Sequence, residues 1–319
     1  MRVVWVGTND GEKHCRHHHA LRLHMRDHYG VTLIGPGHTW DAGRKRVPLP
    51  DVARKADVLV VDLRGSGPVS LDLGEKIDCF RVMVERDYHN KPQWPFVLKY
   101  DPHLILGSVL RPSPPDGLDP WTQRHTHVPY DPWIDDPRWT LWNYPVDMSV
   151  FYPKGERTKN IALFGVRTVS YLDRRAARRA LRGRKDTWMP RPTLIRAHKK
   201  INTALHYHDK LADGLRMSKM LWVDGSNYNI FLGKYNEGIA SGCLLIGRRP
   251  FGWDRYYPNE FIQECSPDTV NEVVDKWATK DKEREEITRA ALDYCRNHHS
   301  IEKRGAQVWD MIVTQLATC

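Results

Sequence analysis

Three stretches of the chain concentrate side chains that can do chemistry. In GKYNEGIASGCLLIG (233–247) one carboxylate, Glu237, stands among small residues just before an apolar run. Two roles are open to it. It can accept hydrogen bonds from the hydroxyls of a ligand, or, in the first turn of a short helix, complement the positive end of the helix dipole. HCRHHHALRLHMRDH (14–28) gathers Cys15 with several histidines. Metal binding would need them on one face, and consecutive positions 17, 18 and 19 point in three directions on a helix, so a solvated helix face is the reading and no metal is expected. RRAARRALRGRK (174–185) is the densest cationic stretch, either an exposed basic helix or a set of phosphate contacts. Twelve Trp are a further resource for stacking or packing, among them Trp121, Trp133, Trp139 and Trp142 in an irregular, Pro-rich segment.

The elements that would position these groups alternate between strand and helix. RVVWVG (2–7), VTLIG (31–35), ADVLVVDL (56–63), CFRVMVE (79–85) and HLILGS (103–108) read as strands, with a helix running to about residue 29. Residues 111–145 break the rhythm and read as a connecting loop region. The alternation resumes with NIALFGV (160–166), TLIRAH (193–198), KMLWVDG (219–225), the quoted segment and EFIQEC (260–265), and helices fill 267–295 and 299–317. The pattern predicts an α/β protein of two doubly wound parallel sheets, with ligands at the carboxyl ends of the strands and the two sheets facing a central cleft. The expected division is 1–148, 149–297, and a final helix, 298–319, returning to the first domain.

Composition narrows the partners. A chain of 319 residues with 40% apolar residues and a net charge of +10 is globular and attracted to anions. Six scattered Cys without a CxxC pair give neither a zinc ribbon nor a disulfide framework. No apolar run approaches the ~18 residues of a membrane helix, and MRVVWVG opens on a strand, not on a signal peptide, so the cytoplasm is the expected location. A dinucleotide dehydrogenase is excluded, because VGTNDG (6–11) lacks the G-x-G-x-x-G spacing.

YPVDMSVFYPKGERTKNIALFGVRTVSYLDRRAARRAL (144–181) resembles the domain junction of GT-B glycosyltransferases, especially the CgeB-like and group-one enzymes. SKMLWVDGSNYNIFLGKYNEGIASGCLLIG (218–247) is similar to their donor-site segment, and HHSIEKRGAQVWDMI (298–312) to their closing helix. This family often has Arg where Lys234 or Tyr235 stands, and position 229 is Asn, so a second acid eight positions before Glu237 is absent. The resemblance implies a nucleotide-sugar donor, UDP-linked as the expected form, with no separate cofactor and no metal. It places Glu237 on the ribose hydroxyls and Tyr235 and Asn236 beside it. Arg167 or Lys200, with Gly165 at the preceding turn, would stabilise the diphosphate leaving group. Ser226 and Asn227 would contact base or phosphates, or simply form a turn.

In the first domain Asp87 and His89 are the candidates for the base that deprotonates an acceptor hydroxyl, and Gly7 would allow close backbone approach. The surplus of cations suggests a nucleic-acid acceptor bearing a hydroxylated base, held by Arg174 and Arg175 and restacked on Trp121, Trp133 and Trp139. A protein or surface-polysaccharide acceptor is the alternative, and an inactive nucleic-acid-binding protein of this fold is the alternative of another class. The state expected is a monomer or homodimer.

Overall fold

Runs of β-branched and aliphatic residues buried on both faces become the strands of two parallel sheets, as expected where helices cover each side. The computed structural model describes residues 1–7, 16–34, 47–48, 51–63, 71–72, 77–85, 100–107, 136–165, 171–190, 204–226 and 229–318. The chain divides into two compact units, Met1–Asn143 with Arg304–Cys319, and Tyr144–Lys303.

In the first unit β1 (Val3–Gly7) is followed by α1 (Arg16–Tyr29), β2 (Thr32–Ile34), the two-residue β3 (Val47–Pro48), α2 (Asp51–Arg54), β4 (Val58–Leu63), the two-residue β5 (Leu71–Asp72), β6 (Phe80–Glu85), β7 (Leu104–Gly107) and β8 (Trp139–Leu141). Six of these form one sheet in the order β2-β1-β4-β6-β7-β8, with every pairing parallel. Val4, Val6, Leu59, Val61, Met83 and Ile105 pack together in its core. The Tyr100 hydroxyl closes that core by donating to the carbonyl of Leu59 at 2.8 Å. The segment 111–145, expected to be a loop throughout, contributes β8 at Trp139–Leu141. Three residues beside many Pro and Trp give too short a period to register as a strand.

The second unit contains β9 (Lys159–Ala162), α3 (Leu172–Ala180), β10 (Thr187–Trp188), α4 (Ala204–Arg216), β11 (Ser218–Val223), α5 (Gly233–Ala240), β12 (Leu244–Gly247), β13 (Ile262–Glu264), α6 (Val270–Thr279) and α7 (Asp281–His298). Its sheet order is β10-β9-β11-β12-β13, again all parallel. Order reverses between β9 and β11, and this is where open α/β sheets place their ligands. The expected strand at 193–198 lies outside the described residues; the edge position beside β9 is taken by β10. The last helix, α8 (Ile301–Thr318), belongs from Arg304 onward to the first unit, where Trp309 stacks on Tyr29 with centroids 4.8 Å apart. Among the described residues no helix is long and apolar enough to cross a membrane.

Candidate functional site

The small residues around Glu237 let α5 lie tight on the sheet. A Cβ on Gly238 would press into the side chains of Leu221 and Leu245, so only glycine permits this approach to β11 and β12. Gly242, with φ +73°, ends the helix in the left-handed conformation and turns the chain directly into β12. Glu237 itself is the fifth residue of a helix that begins at Gly233, not a first-turn residue. The dipole's influence fades within the first turn, so dipole complementation does not explain this acid. Its side chain is mostly buried, 8% exposed.

One turn earlier Lys234 points to Asp224, the residue after β11, with Nζ 3.0 Å from Oδ2. Arg174 of α3 grips the same carboxylate bidentately, Nε to Oδ2 at 2.9 Å and Nη2 to Oδ1 at 2.7 Å. Its guanidinium also lies 3.8 Å over the Tyr171 ring. All three charged groups are buried, Asp224 at 1% exposure. Burial alone would push the Asp224 carboxyl upward, but Lys234 and Arg174 outweigh it and hold the group well below the usual carboxylate range. For Lys234 burial dominates. Together with the neighbouring Arg174 charge it brings the ammonium down to about 7, against the opposing pull of Asp224 and Glu237.

Ser226 and Asn229 adopt positive φ, +61° and +51°, which non-glycine residues reach only where the surroundings impose it. Asn229 N–H donates to the Ser226 carbonyl and Ile230 N–H to that of Gly225, tying Gly225 and Ser226 to the segment that starts at Asn229. It leads to the N-terminus of α5, which no side chain caps. Such a terminus presents backbone N–H groups and the positive end of the dipole to an anion.

Gly165 serves Arg174. A Cβ there would collide with the guanidinium, so the glycine gives the arginine its place. Continuing the β9–β11 register three residues beyond Ala162 and Leu221 sets Gly165 across from Asp224. The first unit repeats this plan. Gly7 ends β1 in register with Asp62 of β4, and a Cβ on Gly7 would collide with the Arg22 guanidinium of α1. Arg22 and Asp62 are both 2% exposed. Each unit thus folds a buried Arg from the helix after its first strand over a glycine that lies across from an Asp, in β4 for the first unit and just after β11 for the second. Gly7 makes room for a side chain, where close backbone approach to a ligand was expected.

Several other expected site residues have interior roles. Tyr235 donates from its hydroxyl to the Arg248 carbonyl at 2.9 Å and packs against Phe231 and Trp253. Asn236 donates to the Tyr144 carbonyl at 2.6 Å and accepts from the Tyr257 hydroxyl at 2.6 Å. Their polar atoms are engaged within the second unit, so they hold α5 in place. Arg174, expected on a DNA-facing surface, is buried against Asp224; only Arg175 of that pair is exposed. Trp139, expected as a stacking platform, packs its indole onto Gly107 and the core of the first sheet. Asp87, His89, Trp121, Trp133, Arg167, Lys200 and Asn227 lie outside the described residues. Asp224 and Lys234 were not among the expected site residues. The signal available for them was Asp directly after an apolar strand, with Lys ten residues on at a helix start.

Comparison with known proteins bears on both units. Residues 166–310 match the family model described as "Glycosyl transferase-like". No curated protein matches the chain in sequence. Among solved structures, a glycosyltransferase from Rickettsia africae is similar with a TM-score of 0.61 at 11% identity, covering 99% of each chain. Sucrose-phosphate synthase from Thermosynechococcus elongatus gives 0.63 at 10% identity, covering 100% of each. Anabaena HepE, solved in complex with UDP-glucose, gives 0.59 at 9% identity, covering 98% of this chain and all of that one. The fold is that of the GT-B glycosyltransferases.

Proposed function

We propose that this GT-B chain is a nucleotide-sugar-dependent glycosyltransferase whose donor, UDP-linked, binds in the second unit at the carboxyl ends of β9 and β11. The observation that carries the reading is the buried Arg174–Asp224–Lys234 cluster with Glu237 one turn on, at the point where strand order reverses. Glycosyl transfer releases a nucleoside diphosphate, and negative charge grows on it as the bond to the sugar breaks. Lys234 and the uncapped start of α5 would stabilise that charge, while Arg174 neutralises Asp224 and holds it in place. The Glu237 carboxylate would accept hydrogen bonds from both ribose hydroxyls. UDP-glucose in the HepE structure supports a uridine donor and a hexosyl group.

Glu237→Gln keeps the shape and removes the charge. Calorimetric titration with UDP-glucose should show the dissociation constant rising at least tenfold, about 1.4 kcal/mol. A change of less than about twofold would return Glu237 to a purely structural role.

A polyanionic acceptor is a second reading. It draws on Arg175, Arg179 and Arg182, exposed at i, i+4 and i+7 on and just after α3. Duplex DNA whose binding falls steeply between about 50 and 200 mM salt would support it. Salt-insensitive or absent binding would direct the search to neutral glycan or protein acceptors.

A further inference from the structure

At the end of β11 one carboxylate, Asp224, is shared by two cations, with Glu237 as a further, weaker partner of Lys234, and Arg174 already engages both Asp224 oxygens. A guanidinium does not deprotonate in a protein, so Lys234 is the member able to give up its charge. The charged groups facing it are Asp224 from the end of β11, Arg174 from α3 and Glu237 from its own helix. Asp173, beside Arg174, is engaged elsewhere, 3.4 Å from Arg248. Burial and Arg174 bring the Lys234 ammonium down to about 7. Tyr235 offers no alternative proton site, because burial holds its phenol well above its ordinary range.

We propose that Lys234 is a ligand-contacting residue that takes up a proton when a nucleoside diphosphate binds, so that donor affinity falls as the pH rises above neutrality. The inference rests on the donor reading given above. Lys234 Nζ can leave Asp224 for a phosphate oxygen because Arg174 continues to neutralise that carboxylate. The proton comes from solvent, and no covalent bond changes. A phosphate group's second ionisation lies near about 6, so at pH 8 the ligand is already ionised and any proton taken up belongs to the protein.

The experiment is calorimetric titration with UDP at pH 8 in buffers of different ionisation enthalpy, which counts protons directly. Wild type should take up roughly 0.5–1 proton per UDP at pH 8. Its affinity should weaken roughly fifteenfold between pH 7 and pH 8.5. Lys234→Met leaves Asp224 paired to Arg174, so the fold should persist, with uptake abolished and no pH dependence in this range. Lys234→Arg carries a fixed charge and should bind as well at pH 8.5 as at pH 7. UDP binding with less than about 0.2 proton taken up at pH 8, or undiminished uptake in Lys234→Met, would overturn the inference alone. Failure of UDP, GDP, ADP, TDP and CMP all to bind would overturn the donor reading and the inference with it.

Discussion

Asp224→Asn tests how the buried cluster is held together. The substitution keeps the side-chain shape but leaves two cations, Arg174 and Lys234, with side-chain exposures of 4% and 7% and without their shared counter-ion. Removing one member of a buried ion pair costs about 3–5 kcal/mol, because the remaining charge is left buried and uncompensated. Lys234 provides partial relief, since without Asp224 its ammonium is lowered further and sheds its proton more readily. Because the wild-type pair itself weakens as Lys234 titrates near about 7, the loss should be larger at pH 6 than at pH 8.5, by about 1–2 kcal/mol. Adding Lys234→Met removes the like-charge repulsion, so the double variant should recover at least about 1 kcal/mol of what Asp224→Asn loses at pH 6. Urea unfolding followed by tryptophan fluorescence reads all three quantities, with Trp222, Trp253 and Trp277 buried in this unit. A single variant within about 1 kcal/mol of wild type at pH 6, or a double variant less stable than the single, would refute the reasoning.

Other expectations follow from the same geometry. Gly7→Ala and Gly165→Ala each push a methyl group into a buried guanidinium and should cost about 1–3 kcal/mol; Gly165→Ala should cost more, because φ there is +110°. Thermal melts of the two variants check the order. Tyr257→Phe leaves the Asn236 amide oxygen without its 2.6 Å donor and should cost about 1–2 kcal/mol in urea unfolding. Lys234 binds a proton more readily unfolded than folded, so its contribution makes stability rise with pH from about 7 towards 10.5, and Lys234→Met should flatten that slope.

Much of the architecture is readable from periodicity, because strands buried on both faces are written as unbroken apolar runs. VVWVG, VLVVDL and LLIG each become a strand within a residue or two of expectation. Trp139–Leu141 is not readable, since three residues carry no period. Glu237 is visible as an isolated acid, but its position in the helix depends on where the turn after β11 releases the chain. The repeated Gly–Arg–Asp plan leaves no repeat in sequence. Its arginines follow their glycines at different distances, Arg22 after Gly7 and Arg174 after Gly165, and only strand register brings the aspartates opposite. Arg174 illustrates the main misreading. A run of arginines looks uniformly solvated, yet at helical spacing one member faces the sheet and is buried. The likeness to CgeB-like enzymes stays with the motifs, whereas the broader glycosyltransferase likeness extends to the family match over 166–310.

The account centres on a nucleoside-diphosphate site in the second unit, and the most direct measurement is a thermal-shift panel of UDP, GDP, ADP, TDP and CMP on wild type and Glu237→Gln. UDP at 100 times its dissociation constant should stabilise the wild type by about 2.7 kcal/mol, several degrees in midpoint, and the variant markedly less at the same concentration. A wild-type midpoint unmoved by every nucleotide would contradict the account.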